Sequence, residues 1–236
     1  MAAKHEKTGL KPEFSGPKKL EEGISNTEEE ASAVDQPLFT TEMRQQLESV
    51  FGRMEKRLLL KLYLDTRPIS SELKTFMTAL AGLSDKLALE IQDIQRSKPN
   101  APYVEVCYED GNATGLAFHG VPSGHEFTSF VLGLYNAAGP GQAIEEDTRK
   151  RIAAVTEPTD IKILVTLSCS MCPDLVIAAQ RIAAENLRIT AHVYDIQQFE
   201  ALKTKYNVMS VPCLVINNEK LYFGKKNITQ ILDLIR

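Results

Sequence analysis

Leu167-Ser168-Cys169-Ser170-Met171-Cys172-Pro173-Asp174 is the stretch from which the rest of the chain can be read. The apolar run Ile161 to Leu167 before it reads as a buried strand, and Pro173 to Glu185 after it has helical periodicity. Cys169 therefore ends a strand and Cys172-Pro173 begins a helix. Such a place activates a thiol, because unpaired N–H groups and the positive end of the helix dipole stabilise a thiolate. Pro173 is tolerated because the first turn needs no donor there. Lowering a thiol from about 8.5 to about 7 raises the thiolate fraction at neutral pH roughly 16-fold. A Brønsted slope of about 0.4–0.5 returns roughly fivefold of that in weaker nucleophilicity, for a net gain of about threefold. Placement beside a resolving thiol must matter at least as much.

A Cys-x-x-Cys pair can also hold zinc or be a pair of inert buried cysteines. Zinc needs two more ligands, but Cys107 and Cys213 stand alone, and His119, His125 and His192 form no closely spaced pair. The strand–CxxC–helix context favours redox chemistry, with Cys169 as the exposed attacking thiol and Cys172 as the buried resolving one. No metal is expected. Four cysteines in 236 residues are too few for a disulfide scaffold.

Working outward, the residues after the pair read as a strand Arg188 to Asp195, a helix near Gln197 to Tyr206, a Pro212-led strand Cys213 to Ile216, an Asn217-Asn218 turn, a strand Leu221 to Phe223 and a helix Ile228 to Ile235. A helix over about Ala143 to Ala154 precedes the whole. The same order appears earlier. Met43, Leu47, Val50, Phe51 and Met54 have helical spacing, with Thr40 or Thr41 as N-cap. Arg57 to Leu64 is a strand, Ser71 to Leu83 a helix and Lys86 to Ile91 a strand. Pro102 then leads the strands Tyr103 to Tyr108 and Gly115 to His119, and Gly124 to Ala138 is a helix. Helix, strand, helix, strand, Pro-led hairpin and helix is the element order of the thioredoxin fold, here twice. The expected fold is α/β, two tandem thioredoxin-like folds over residues 39–139 and 140–236, divided at Gly139-Pro140-Gly141. Residues 1–38, with Glu28-Glu29-Glu30 and no apolar periodicity, read as a tail or linker.

Aligned on that repeat, Leu64-Asp65-Thr66-Arg67-Pro68-Ile69 falls where Leu167 to Cys172 falls in the second half. Thr66 and Ile69 replace the thiols, so only the second half can do dithiol chemistry. Pro212 sits where thioredoxin folds place a cis-proline beside the active site, and Pro102 matches it in the first half. Cys213 reads as a small buried strand residue or a third thiol near the site, and Cys107 as core.

From about residue 40 onward the chain resembles the N-terminal domain of the flavoprotein subunit of bacterial alkyl hydroperoxide reductase, and related tandem-thioredoxin protein disulfide oxidoreductases. The stretches that carry this are Gly124-His125-Glu126-Phe127-Thr128-Ser129, Leu167 to Asp174, and Asn207-Val208-Met209-Ser210-Val211-Pro212. The resemblance implies a shuttle taking electrons from a flavin-dependent disulfide reductase to the disulfide of a peroxiredoxin. It implies that Val211 and Pro212 dock the partner's disulfide strand, and that Glu126 reaches the dithiol from the first half as a proton acceptor and donor. The position six residues before Cys169, where many single-domain thioredoxins carry a buried Asp, holds Ile163, which cannot move a proton. On spacing alone, Ser123-Gly124-His125-Glu126 is equally the S-x-x-E pattern of a capping box. His125 reads as a surface or structural residue. With no G-x-G-x-x-G fingerprint here, FAD and NAD(P)H are expected on a partner or a fused reductase module rather than in this chain.

The formal charge of −4 argues against nucleic acid as the main partner. No apolar run approaches the roughly 20 residues that span a bilayer, and the first twenty residues lack a signal-peptide core. A cytoplasmic protein is the expectation, with no membrane partner. A general protein disulfide reductase and a binding or scaffold module with incidental thiols are the competing functions.

Overall fold

Leu58, Leu60 and Leu62 are wholly buried while Leu59 and Lys61 between them are partly exposed, the two-residue alternation of a strand with a core on one face. The same alternation runs through the matching strand of the second half. The computed structural model describes residues 38–92 and 100–235; the tail read over 1–38 lies almost wholly outside them. The elements are α1 (Thr41–Phe51), β1 (Leu58–Tyr63), α2 (Pro68–Ala81), β2 (Leu87–Ile91), β3 (Tyr103–Tyr108), β4 (Ala113–His119), α3 (Glu126–Ala138), α4 (Glu146–Ala153), β5 (Thr159–Val165), α5 (Cys172–Glu185), β6 (Ile189–Asp195), α6 (Glu200–Lys205), β7 (Cys213–Ile216), β8 (Lys220–Phe223) and α7 (Ile228–Leu234).

The strands form one eight-stranded mixed sheet in the order β2-β1-β3-β4-β6-β5-β7-β8. Within each set of four, the first pair is parallel and the next two antiparallel, so the fold is two tandem thioredoxin-like units with the CxxC in the second. The units join edge to edge through parallel pairing of β4 with β6, from Leu116↔Ala191 to His119↔Tyr194. Gly115 makes that approach possible. Its φ is +86°, and a Cβ there would stand 2.7 Å from the Ile189 carbonyl oxygen.

Helices α3 and α5 pack along each other within the main core. On the other face, α6 covers a second cluster that includes Leu164, Tyr194, Phe199, Leu202 and Cys213. Among the described residues no helix lies between β2 and β3, and residues 93–99 of that connection lie outside them. None of the described helices is long and apolar enough to cross a membrane.

Several boundaries differ from expectation for local reasons. Helix α2 starts three residues before Ser71 because Pro68 sits at its first position, where no N–H is needed. Helix α4 starts at Glu146 rather than Ala143, because Gln142 is held in the linker by Asn136 and Arg181. Helix α6 starts at Glu200 rather than Gln197, since the Asp195 carboxylate accepts from the Gln197 amide and holds a turn there. The Gly139–Pro140 bond is cis, as are Ala101–Pro102 and Val211–Pro212.

Candidate active site

Strand β5 ends at Val165, two residues sooner than its apolar run suggested, and Thr166 to Met171 turn the chain back into α5. Cys169 therefore stands in this turn rather than at the strand end, its amide donating to the Thr166 carbonyl over 3.0 Å. Met171 is the helix N-cap, and Cys172 is the first residue of α5. The two cysteines are joined by a disulfide with Cα atoms 5.5 Å apart. Cys169 is half-buried and Cys172 has no exposed surface. A partner can thus reach the first sulfur and not the second.

Strand β7 runs antiparallel to β5 with Cys213 opposite Leu164. Continuing that register puts Pro212 across from Val165 and Val211 beside the turn that carries the cysteines. Pro212 is buried, Val211 half-buried, and the Pro212 carbonyl accepts from the Gly224 amide over 2.9 Å. Met171, inside the CxxC turn, and Met209, three residues before Pro212, are 52% and 79% exposed, large soft apolar side chains on the two loops. Sequence reading did not assign them a role, and the signal was present: an apolar residue inside the CxxC, and another three positions before the proline.

Glu126 opens α3 and is completely buried. The capping box does not form. The N-cap is His125, no side chain caps the helix, and the Glu126 amide instead donates to the Ser123 carbonyl. His125 itself is exposed. The Ser129 hydroxyl donates to Oε2 of Glu126, while Oε1 has no hydrogen-bond partner among the described residues. Burial pushes the carboxyl up to about 8, with the Ser129 hydrogen bond opposing it. Ser129 lies one helical turn from Glu126, a spacing that could have marked it as the carboxyl's partner.

Two contacts fix where Glu126 stands. The His125 amide donates to the Leu167 carbonyl over 3.0 Å, and Gly133 lies against the Gln180 side chain. Helices α3 and α5 therefore run parallel and in register. Seven residues back from Gly133 is Glu126; seven back from Gln180 is Pro173. The buried carboxyl is level with the first turn of α5, which begins at Cys172, while Ile163 on β5 is an apolar core residue.

Cys213 points into the cluster under α6, whereas Cys172 belongs to the main core, so the two thiols lie on opposite faces of the sheet. Burial pushes the Cys213 thiol up to about 11, with Lys226 opposing. It is a buried core residue rather than a third thiol at the site. Cys107 is likewise buried.

In the first unit the equivalent turn is closed by a side chain. Arg67 donates through Nη2 to the Ala101 carbonyl, next to cis-Pro102, and through Nη1 to the Gln198 carbonyl over 3.0 Å. Its Nε meets Asp65 at 2.8 Å, and the guanidinium lies 5.3 Å from the centre of the Phe199 ring. Burial works against the charge of Asp65, yet hydrogen bonds from Ser70 and Arg67 hold its carboxyl below the usual range. Where the second unit leaves a sulfur and a docking edge accessible, the first has bound its own edge to the β6–α6 loop.

The model of the thioredoxin domain matches residues 159–235. The AhpF component of alkyl hydroperoxide reductase from Staphylococcus aureus is 28% identical over 196 residues, 83% of this chain and 37% of that protein. A Bacillus subtilis protein described as NADH dehydrogenase is 27% identical over 190 residues, 80% of this chain and 36% of its own length. The chain thus spans just over a third of the curated relatives it matches. A crystal structure of the NTD N/C domain of alkylhydroperoxide reductase AhpF from Enterococcus faecalis superposes with a TM-score of 0.79 at 37% identity, covering 84% of this chain and 100% of that one. A protein disulfide oxidoreductase from Aeropyrum pernix has the same fold, with a TM-score of 0.72 at 19% identity over 83% of this chain and 91% of its own.

Proposed function

This chain belongs to the family of the N-terminal domain of alkylhydroperoxide reductase AhpF, a thioredoxin-fold disulfide oxidoreductase, and from that premise we propose that it relays electron pairs from a flavin-dependent disulfide reductase to the disulfide of a peroxiredoxin. The observation that carries this reading is the pairing of a half-exposed Cys169 with a fully buried Cys172 at the head of α5, level with a buried carboxyl. The cytoplasm, where thiols are kept reduced, suits such a relay.

In the proposed cycle, two electrons and a proton from the reductase open the Cys169–Cys172 disulfide. FAD and NAD(P)H belong to that reductase, on a partner or a fused module. The Cys169 thiolate attacks the peroxiredoxin disulfide, and one partner sulfur leaves as thiolate. Cys172 then attacks the Cys169 sulfur of the mixed disulfide. The chain's disulfide re-forms and the second partner sulfur leaves. Cys172 must lose its proton as it attacks, inside a core where a thiolate is costly. Glu126 is suited to accept it. Burial raises its carboxyl to about 8, so it holds a proton far more readily than an ordinary carboxylate does. Val211 and Pro212 supply the backbone edge against which the partner's disulfide strand docks, with Met171 and Met209 as its apolar margin.

Cys172→Ser decides between readings. The reduced variant mixed with oxidised peroxiredoxin should accumulate a mixed disulfide on Cys169 that survives non-reducing electrophoresis. Wild type should reduce that peroxiredoxin at least tenfold faster than an arbitrary protein disulfide. Equal rates for both substrates would replace the relay with a general disulfide reductase. Absence of any Cys169 adduct would leave only a binding module.

A further inference from the structure

A cavity of about 450 Å³ opens between α5, the α3–α4 linker and the start of α7. Its floor is apolar, with Ile177 and Ile228. Its charged lining consists of Arg181, Lys225 and Lys226 against the single carboxylate of Asp174. That excess of positive charge stands out in a chain whose net charge is −4. Arg181 is the inner wall and only 2% exposed. Its Nε donates to the Gln142 carbonyl over 2.8 Å and its Nη1 pairs with Glu185 at 2.6 Å, but Nη2 has no acceptor among the described residues. Lys225 faces Asp174 at 3.5 Å, and Lys226 donates to the Phe223 carbonyl over 2.8 Å and to that of Gly224 over 3.5 Å.

The cavity adjoins the dithiol on both sides. Asp174 follows Cys172 by two residues, and Lys225 follows Gly224, whose amide is bound to the Pro212 carbonyl. A partner strand docked along Val211 would have this cavity at its end. From Cys172 to Arg181 is nine positions of α5, about 13.5 Å at the helical rise, a distance that roughly four residues of extended chain cover.

We propose that this cavity is a specificity pocket that receives an acidic side chain, with an apolar neighbour, from the polypeptide flanking the partner's reactive cysteine. The proposal rests on the relay function above. The apolar part of the segment lies on Ile177 and Ile228, and the carboxylate is held by Lys225 and Lys226 over Arg181. The acidic residue stands within about four positions of the cysteine that forms the mixed disulfide, the reach to the far wall of the cavity. The pocket contributes to choice of partner and not to electron transfer itself.

The test is single-turnover disulfide transfer from the reduced chain to excess oxidised peroxiredoxin, followed against peroxiredoxin concentration. The variants are Lys225→Glu/Lys226→Glu and, as a charge-matched control on another surface, Lys203→Glu/Lys220→Glu. The pocket variant should raise the half-saturating concentration roughly fivefold or more with the plateau rate within about twofold, and the control should shift it by less than about twofold. An unchanged half-saturation in the pocket variant, or an equal rise in both variants, overturns the pocket. So does inorganic phosphate at constant ionic strength raising the wild-type value to that of the pocket variant, which would assign the cavity to free anions. If wild type transfers nothing to any peroxiredoxin, the relay reading falls instead.

Discussion

Gly124 lies so close to Leu167 that a Cβ on it would stand 2.5 Å from the Leu167 carbonyl oxygen, and its φ of +58° is one that side-chain-bearing residues avoid. Backbone meets backbone here, at the point where the first unit touches the turn leading to Cys169. Gly124→Ala should therefore cost about 2–4 kcal/mol through the left-handed backbone and the clash combined. It should also move the start of α3 away from α5 and slow disulfide exchange. Thermal unfolding and exchange rates measured on one preparation check both effects. A stable variant with normal exchange would show that the placement of α3 is not critical.

Alkylation should distinguish the two thiols. In the reduced protein at neutral pH, iodoacetamide should modify Cys169 roughly tenfold or more faster than Cys172, because the latter has no exposed surface. Peptide mass mapping at short times gives the ratio, and preferential labelling of Cys172 would reverse the assigned roles.

Two buried groups should give the stability a flat-topped pH profile. Burial raises Glu126 to about 8, so between about 4.5 and 8 the folded state binds more protons than the unfolded, and stability falls as pH rises. Burial lowers His119 to about 3, with the Asn100 carbonyl opposing, so between about 3 and 6.5 the unfolded state binds more, and stability falls as pH drops. The slopes oppose each other between about 4.5 and 6.5, where the maximum should lie. Urea titrations across roughly pH 3 to 9 test this. Glu126→Gln should remove the alkaline slope while slowing exchange near neutral pH. An alkaline slope retained in that variant would mean that another group produces it.

Arg67→Ala should destabilise the protein by about 1–2 kcal/mol, chiefly because the Ala101 and Gln198 carbonyls lose their donor. Exchange at Cys169 should be unaffected, since this latch lies on the unit without thiols. A melting curve beside a single-turnover trace is enough, and a fall in exchange rate with intact stability would contradict the assignment.

The strands Tyr103–Tyr108 and Cys213–Ile216 were legible to the residue, because an alternating or fully buried apolar run between prolines and turn residues admits few other readings. The dithiol and both aligned cis-prolines were legible through the repeat and the fold it pointed to. The edge-to-edge seam was not, since β4 and β6 pair across more than seventy residues and the local signal is one glycine, Gly115. The two arginine clasps were hidden for another reason. Arg67 donates to the Ala101 and Gln198 carbonyls and Arg181 to that of Gln142, and a backbone carbonyl is a partner that every residue has and no pattern marks. At Glu126 a local pattern competed with a tertiary one, and burial between α3 and α5 prevailed over the capping box.

The continuous sheet has a bearing on how the protein can be dissected. A cut at Gly139-Pro140-Gly141 leaves each thioredoxin-like unit with its own four strands, yet strips a neighbour from β4 and from β6. The N–H and C=O groups that now satisfy each other along that line would face water on both fragments, and bare strand edges recruit other chains. The second unit, for all that it carries both cysteines, should on its own be prone to self-association. In this molecule the inactive unit serves its active neighbour partly as a guard against stray pairing.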